Sequence, residues 1–252
     1  MGKFKGPNSY QSRHRSSKRD ELELNLPLVL LIGLGITIAI YIFLLPIKST
    51  FIGILIYERG FTQILTIGLA SIVIAVTAIK FIKLKQEYRA LHRIWIGDHI
   101  PLAQPDAPET INLRDRLAQD GTLIAARCSR ILTAYIQSGD RAIATEFALD
   151  DSSFYLSASE SSYSFPRILV WAIPLLGFIG TVIGISQAVN QFSGFLEGAE
   201  DVEKIKEGIG GVTSGLGVAF DTTLLALFLS VVVMIPLVLI ERYESRLLLA
   251  ID

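Results

Sequence analysis

Four long apolar runs dominate the hydrophobic pattern of the chain. They occupy residues 26–45, 61–79, 168–189 and a stretch within residues 212–240. Each is long enough to cross the roughly 30 Å hydrocarbon layer as an α-helix, which takes about 20 apolar residues. None alternates polar and apolar positions as the strands of a transmembrane barrel do. The pattern therefore predicts four transmembrane helices. The first is expected to stay uncleaved, because its apolar core is longer than that of a signal peptide.

The longest polar stretch, residues 84–166, predicts a small group of helices outside the bilayer. It opens with an amphipathic continuation of the second span that reaches Trp95, followed by a proline-rich break. Apolar residues then recur at three- and four-residue steps over residues 111–138, which predicts one helix, and residues 140–147 predict a further short one. So small a segment buries little core by itself. We expect it to pack against other copies or on helical extensions of the spans.

The basic residues around the spans predict the orientation of the chain. Lys and Arg accumulate on the cytoplasmic side of membrane proteins, whereas the hairpin loop at residues 193–211 is acidic and should face outward. Both termini and residues 84–166 are therefore expected to be cytoplasmic. The basic flanks are Lys3, Lys5, Arg13, Arg15, Lys18 and Arg19 before the first span and Lys80, Lys83, Lys85, Arg89 and Arg93 after the second.

Composition agrees with this topology and excludes several classes of function. Hydrophobic residues make up 51% of the 252 residues and charged residues 19%, with a mean hydropathy of +0.49. A formal net charge of −1 argues against a nucleic-acid-binding protein, which carries a basic surplus. The single cysteine and three histidines offer neither a disulfide framework nor a metal site. No catalytic set of residues or cofactor motif emerges, so we expect no enzymatic activity and no cofactor.

The predicted fold is therefore all-α, a polytopic membrane protein with four transmembrane helices and a small helical cytoplasmic segment. Its parts are a basic, disordered tail near anionic lipid headgroups, a first transmembrane hairpin, the cytoplasmic segment, and a second transmembrane hairpin with the acidic outer loop. In order, they cover residues 1–25, 26–83, 84–166 and 167–252.

Spans three and four differ from the first two, which consist mainly of bulky aliphatic residues and are expected to face lipid. Small residues recur in the third and fourth spans with the small-xxx-small spacing that lets helix backbones approach closely in a membrane. Each of these spans also contains one proline, Pro174 or Pro236, for which a helix kink is the simplest interpretation. The glycines predicted to serve helix packing are Gly177, Gly180, Gly184, Gly211 and Gly215.

Polar residues within the same spans are the candidate chemistry. The hairpin is centred near residue 202, so Thr181 and Thr222 lie about 20 residues on either side and should reach the same depth. Asp221 precedes Thr222, and an intramembrane carboxylate suggests a functional site. Two structural alternatives remain: the threonines bond to backbone carbonyls and pack between helices, or Asp221 lies at the outer mouth of a span that starts at Thr222.

The second hairpin resembles the MotA/TolQ/ExbB proton-channel family. The resemblance lies in the run LLGFIGTVIGI at residues 175–185 and the run AFDTTLLAL at residues 219–227, followed by Pro236. It implies a homopentamer whose last two spans surround a dimer of a single-span B subunit with an intramembrane aspartate. A proton or sodium ion would then be the transported species, with Thr181 and Thr222 as pore threonines. Thr223 points about 100° away along the helix and is the weaker candidate.

Two functions from different classes are therefore compatible with the sequence. One is the pore-ring subunit of an ion-driven inner-membrane motor or energy transducer, in which Thr181, Thr222 and Asp221 are required. The other is a passive membrane scaffold that gathers partners through its cytoplasmic segment and tolerates isosteric replacement of those residues.

Overall fold

The computed structural model describes residues 25–57, 60–93, 97, 100–196 and 202–251, and within these residues all regular structure is helical. The predicted tail at residues 1–25 lies outside this range except for Asn25, as do Trp95 and the middle of the acidic loop. In chain order the helices are α1 (Leu26–Leu44), α2 (Phe51–Tyr57), α3 (Phe61–Leu91), α4 (Pro108–Gln119), α5 (Leu123–Ser138), α6 (Arg141–Leu196) and α7 (Val202–Ile251), and a 3-10 turn (Leu45–Ile47) follows α1.

Four of these helices are long and apolar enough to cross a membrane, which confirms the predicted fold class. The candidate spans fall on α1 with its 3-10 turn, α3, α6 and α7. The short link between α1 and α3 contains both the 3-10 turn and α2.

The second span is not the uniformly lipid-facing helix that its aliphatic content predicts. Half of its most apolar window is buried, whereas only 11% of the corresponding window of α1 is buried. The buried face of α3 includes small polar residues, which sequence reasoning overlooked because they are interspersed with Ile, Leu and Val. They are Thr62, Gln63, Thr66, Ser71 and Thr77.

The helix predicted over residues 111–138 is wrong in one respect, because it is broken into α4 and α5. Gly121 between them has a φ of +75°, a conformation that glycine adopts without the steric cost borne by other residues. Thr122 then caps α5 by accepting a hydrogen bond from the Ala125 amide at 3.4 Å. The carboxylate of Glu87 on α3 accepts the Leu123 amide at 3.0 Å and so supplements the cap.

The separate short helix predicted at residues 140–147 is also wrong, since these residues form the first turns of the 56-residue helix α6. Its start is as predicted: Asp140 accepts a hydrogen bond from the Ala142 amide at 2.8 Å. Gly139, with a φ of +66°, ends α5. Pro166 and Pro174 lie inside α6, and Pro236 inside α7, without ending either helix. The kinks at Pro174 and Pro236 stay a prediction.

The chain divides into two compact units by its contacts. The apolar unit comprises Asn25–Thr77 and Phe165–Val238; the polar unit includes Ala78–Ser164 and Leu239–Asp252. The final turns of α7 thus group with the polar unit, whereas the sequence-based division assigned them to the second hairpin. Since α3, α6 and α7 each contribute to both units, neither unit is a separate stretch of chain.

Two buried charge clusters hold the helices of the polar unit together. On α7, the carboxylate of Glu244 accepts hydrogen bonds from Lys80 Nζ at 3.0 Å, Ser159 Oγ at 2.7 Å and Tyr163 Oη at 2.6 Å. The Lys80 ammonium also lies 3.9 Å from the centre of the Tyr163 ring. Lys80 is on α3, and Ser159 and Tyr163 are on α6. The cluster therefore joins three helices, and its charge is balanced within the protein.

The second cluster joins α5 to α6. Asp151, whose side chain is completely buried, lies 3.6 Å from the guanidinium nitrogens of both Arg127 and Arg130. The next residue on α5 after Arg127 is Cys128, the chain's single cysteine. Burial raises the pKa of the Cys128 thiol above its ordinary value, so the reactive thiolate is scarce while this region is folded.

We expect Asp151→Ala to destabilise the polar unit by about 3–5 kcal/mol, because it leaves two buried guanidinium groups without their carboxylate. Alkylation of Cys128 in the detergent-solubilised protein provides the measurement. Opening of the unit exposes the thiol and lowers its pKa toward the ordinary value, so the variant should react faster than the wild type at pH 8 and lose its protection at a lower temperature.

Asp115→Ala is the matched control. Asp115 pairs with Arg114 at 2.6 Å, but its side chain is 54% exposed, and an exposed pair contributes about 0–1 kcal/mol. Equal alkylation rates for the two variants would show that the Asp151 cluster does not hold α5 in place.

Candidate functional site

A stripe of small residues joins α6 and α7 within the apolar unit. A methyl group built on Gly177 would lie 2.5 Å from Ala226 Cβ, and one on Gly184 would lie 3.0 Å from Ala219 Cβ. On α7, a methyl group on Gly215 would lie 2.8 Å from Ala188 Cβ. These approaches leave no room for a larger side chain, so the two helices meet backbone to backbone. Such packing is typical of membrane helices. Lipid provides no hydrophobic driving force between them, so they associate through close van der Waals contacts that small residues allow.

The contacts follow the register of an antiparallel hairpin. Gly177 faces Ala226, Gly180 faces Thr222, Gly184 faces Ala219, Ala188 faces Gly215 and Gln191 faces Gly211. From one pair to the next, the residue number rises by three or four on α6 and falls by three or four on α7. All five glycines that the sequence singled out for packing lie on this stripe.

Two threonine hydroxyls meet across the stripe. Thr181 on α6 and Thr223 on α7 are hydrogen-bonded to each other. Thr181 Oγ1 also lies 3.0 Å from the Ala219 carbonyl, and Thr223 Oγ1 lies 3.1 Å from the Gly177 carbonyl. Each hydroxyl therefore reaches a backbone oxygen of the opposite helix. The residue counts around the hairpin predict this common level but pair Thr181 with Thr222. Thr223, the weaker candidate under the family resemblance, is the residue that contacts Thr181.

Thr222 points into a different environment. It is 3% exposed, and its hydroxyl donates to the Ala219 carbonyl at 2.8 Å. A methyl group built on Gly180 would lie 2.7 Å from Thr222 Oγ1 and 3.0 Å from Thr62 Oγ1 of α3. Thr222 is thus enclosed by three helices, and the hydroxyl that joins Thr181 across the hairpin belongs to Thr223. Thr181 and Thr222 both donate to backbone carbonyls, which is the structural alternative considered for them in the sequence analysis. Thr181 also bonds across the hairpin to α7.

Asp221 lies beside Thr222 and is partly exposed. The sequence analysis did not single out Thr62 of α3, whose hydroxyl lies near Thr222. The signal for it in the sequence is the group of polar residues at positions 62, 63 and 66 within an otherwise aliphatic run. Among the described residues, no group of three or more His, Cys, Asp or Glu side chains is placed to hold a metal ion.

Comparison with known protein families shows to which family the chain belongs. The model described as "MotA/TolQ/ExbB proton channel family" matches residues 124–251, just over half of the sequence. The chain belongs to the MotA/TolQ/ExbB proton channel family. No curated protein and no solved structure gives a match. The resemblance predicted from the two runs in the second hairpin is confirmed.

In this member of the MotA/TolQ/ExbB family, the matched range coincides with the part of the chain that contains the candidate site. It begins in α5 and includes all of α6 and α7, so it contains the small-residue stripe and the three threonines. Family membership and the four apolar helices make the chain a membrane protein of the proton-channel class. Its family works with partner membrane proteins as a channel complex.

The threonine pair gives this MotA/TolQ/ExbB hairpin a polar site without a formal charge. A hydroxyl can donate one hydrogen bond and accept two, so it can serve either a proton carrier or a cation. Polar groups at membrane depth must find partners inside the protein, because hydrocarbon offers none. Here the partners are backbone carbonyls that the close approach of α6 and α7 brings within reach.

Gly177→Ala tests the close approach directly. The added methyl group would lie 2.5 Å from Ala226 Cβ and 3.2 Å from the Thr223 backbone, so the helices must separate. Overpacking of this kind costs about 1–3 kcal/mol. We expect a lower melting temperature in detergent, measured by the loss of monodisperse protein on size-exclusion chromatography after heating.

Gly217→Ala is the control, because no atom lies within 4 Å of the added methyl group. Alanine is the better helix former by up to about 1 kcal/mol, so this variant should melt at or above the wild-type temperature. A Gly177→Ala protein as stable as Gly217→Ala would contradict the tight packing of the stripe.

Proposed function

We propose that the protein is the ring-forming subunit of an ion-driven motor or energy transducer in a bacterial inner membrane. Five copies surround two single-span helices of a partner subunit, and an aspartate in the partner's span takes up and releases the transported ion. The last two spans, α6 and α7, line the ring. In this proposal the chain catalyses no reaction and needs no cofactor, since its cargo is the proton or sodium ion itself.

The observation that carries the proposal is the hydroxyl pair of Thr181 and Thr223 inside the family hairpin. It joins the two helices that the family match covers, and it offers oxygen atoms without a charge that would trap a cation. One elementary charge crossing 100 mV releases about 2.3 kcal/mol. A single full countercharge in a low-dielectric site could hold an ion more strongly than that, which favours hydroxyls along a path that must release its ion.

Polar side chains on α6 and α7 also support a ring. In the single chain Ser186 and Gln187 of α6 and Ser214 of α7 are exposed. Lipid hydrocarbon cannot satisfy such groups. Contacts with neighbouring copies, a partner helix or water would. Asp221 then has three candidate roles: a hydrogen bond to the partner, a proton relay, or a negative charge that sets the cation preference.

The orientation follows from the basic flanks. Lys80, Lys83, Lys85 and Arg89 come directly after the second span. With this side cytoplasmic, both termini and the polar unit are cytoplasmic and the acidic hairpin loop faces outward.

Alkaline phosphatase fused within the outer loop should then be active in cells, whereas a fusion after Ser138 should be inactive.

Imaging of the purified assembly tests the ring. The full chain is purified in detergent, alone and coexpressed with a neighbouring gene that encodes a single-span protein with an intramembrane aspartate. We expect five-fold rings, with two extra central helices in the coexpressed sample. A monomer or dimer without central helices would falsify the proposal.

Thr181→Val and Thr223→Val test the hydroxyl pair. Valine keeps the side-chain shape but removes the oxygen, and loss of a hydrogen bond to a charged group costs about 1.5–3 kcal/mol. We expect ion flux to fall at least about tenfold, measured with a pH- or sodium-sensitive dye in proteoliposomes that contain both subunits.

Thr213→Val is the matched control, because Thr213 is exposed and bonds only to the Ile209 carbonyl of its own helix in the structure. Its flux should stay close to that of the wild type. The passive scaffold is favoured instead if the assembly forms normally and all three variants conduct equally.

A further inference from the structure

The first two turns of α3 direct polar side chains into the apolar unit. Thr62, Gln63 and Thr66 are buried, whereas Phe61 and Ile64 next to them are exposed. The buried positions therefore form one inward face, and this face is more polar than the outward one. Because hydrocarbon offers no hydrogen bonds, polar groups that point inward at membrane depth need partners inside the protein.

Thr62 of α3 and Thr222 of α7 converge on Gly180 of α6. A methyl group built on Gly180 would lie 3.0 Å from Thr62 Oγ1 and 2.7 Å from Thr222 Oγ1. The two hydroxyl oxygens are therefore no more than about 5.7 Å apart. Two hydrogen bonds of about 2.8 Å, joined at one oxygen atom, span such a separation.

Gln63 enters the same interface with α7. Successive residues of a helix are turned by 100°, so Gln63 lies in the arc between Thr62 and Ile67. Thr62 lies near Thr222 of α7, as described above, and Ile67 belongs to the same buried cluster as Leu225 of α7. Both neighbours of Gln63 on this face are thus directed toward α7, and the Gln63 side chain lies between them.

The polar groups at this place leave hydrogen bonds unmade. Gln63 is 1% exposed, yet within the described part of the chain neither its Nε2 nor its Oε1 has a hydrogen-bond partner. No described residue is hydrogen-bonded to the Thr62 hydroxyl either. The Thr222 hydroxyl donates its proton to the Ala219 carbonyl and keeps a lone pair for another donor. Buried groups of this kind are costly unless an ordered molecule completes their bonds.

The chemistry of the set selects the kind of molecule. Thr62 and the Gln63 amide supply protons, whereas Gln63 Oε1 and Thr222 Oγ1 supply lone pairs. A cation would bind the oxygens and leave the amide protons unpaired. An anion would accept those protons, leave Oε1 unpaired and add a negative charge near Asp221. Water both donates and accepts, and buried waters typically make about three hydrogen bonds to such groups.

We propose that each chain holds an ordered water molecule between α3 and α7, bound by Thr62, Gln63 and Thr222. The water accepts hydrogen bonds from the Thr62 hydroxyl and the Gln63 amide and donates one to Thr222 Oγ1. It attaches α3 to the second hairpin on a different face of α7 from Thr223. The site lies within one chain, so it requires neither a ring, a partner subunit nor ion transport.

A density map that resolves ordered solvent tests the site directly. The full chain is crystallised in a lipidic mesophase, once in sodium and once in potassium salt. We expect the same peak in both, within hydrogen-bond distance of Thr62 Oγ1, the Gln63 amide and Thr222 Oγ1. Three results would overturn the proposal: a peak in sodium only, which indicates a cation site; a protein partner for the Gln63 amide; or no peak beside an unpartnered Gln63.

Thr62→Val and Gln63→Met test whether the two residues share one water. Each change removes one of its partners, so each should lower the melting temperature in detergent by about 2–4 °C, the effect of roughly one hydrogen bond in a chain of this size. Either change releases the same water. The double variant should therefore melt no lower than the less stable of the two single variants.

Ser71→Ala is the matched control. Ser71 is also fully buried on α3, and its hydroxyl has no partner among the described residues, but it lies about 12 Å along the helix from Gln63. The shifts of Ser71→Ala and Gln63→Met should add, as they do for distant sites.

Two melting results would contradict the shared water. A Gln63→Met protein more stable than the wild type would show that the amide is buried dry, because its removal then relieves an unpaired group. Additive losses for Thr62→Val and Gln63→Met would show that the two residues act separately. Neither result bears on the five-fold ring or on ion flux, and the absence of a ring would leave the water site intact.

Discussion

The structure depends on the close approach of α6 and α7. A glycine in each contact pair allows it, and Thr181 and Thr223 occupy the positions where this approach brings hydroxyls to backbone oxygens of the facing helix. Thr181 reaches the Ala219 carbonyl at 3.0 Å and Thr223 reaches the Gly177 carbonyl at 3.1 Å. With bulkier residues on the stripe these distances would lengthen beyond hydrogen bonding. Packing and candidate chemistry therefore have the same cause.

Much of this could be predicted from the sequence, because two strong signals coincide in the second hairpin. Apolar length defines the spans, and glycine spacing defines the face on which they meet. Equal residue counts on either side of the loop then set the level of the threonines. Residue counts give the depth of a residue in the membrane but not the direction in which its side chain projects around the helix axis. One residue turns a helix by 100°, so the difference between Thr222 and Thr223 needed the actual crossing of the helices.

The remaining errors also have physical reasons. Residues 111–138 keep a helical pattern through Gly121, since periodicity averages over a window and one left-handed glycine does not disturb it. Residues 140–147 were separated from the third span because the intervening stretch is polar, yet a helix can pass from water into lipid unbroken. The buried polar face of α3 is hidden by composition, since threonine can donate its hydroxyl to a carbonyl of its own helix, as Thr66 does to the Thr62 carbonyl.

The hydroxyl protons of the three threonines can be matched one by one to the oxygen atoms that accept them. Thr181, Thr222 and Thr223 bring three protons. In the structure the backbone oxygens they reach are those of Gly177 and Ala219, each of which has one lone pair left after its helical bond. Two protons fill these lone pairs, and the third lies between Thr181 and Thr223. All three protons then have acceptors within the hairpin, so the hydroxyls of Thr181 and Thr223 can still accept a hydrogen bond but have no free proton to donate. A protonated carboxylic acid can donate a hydrogen bond to such an oxygen, whereas an ionised carboxylate has no proton to donate.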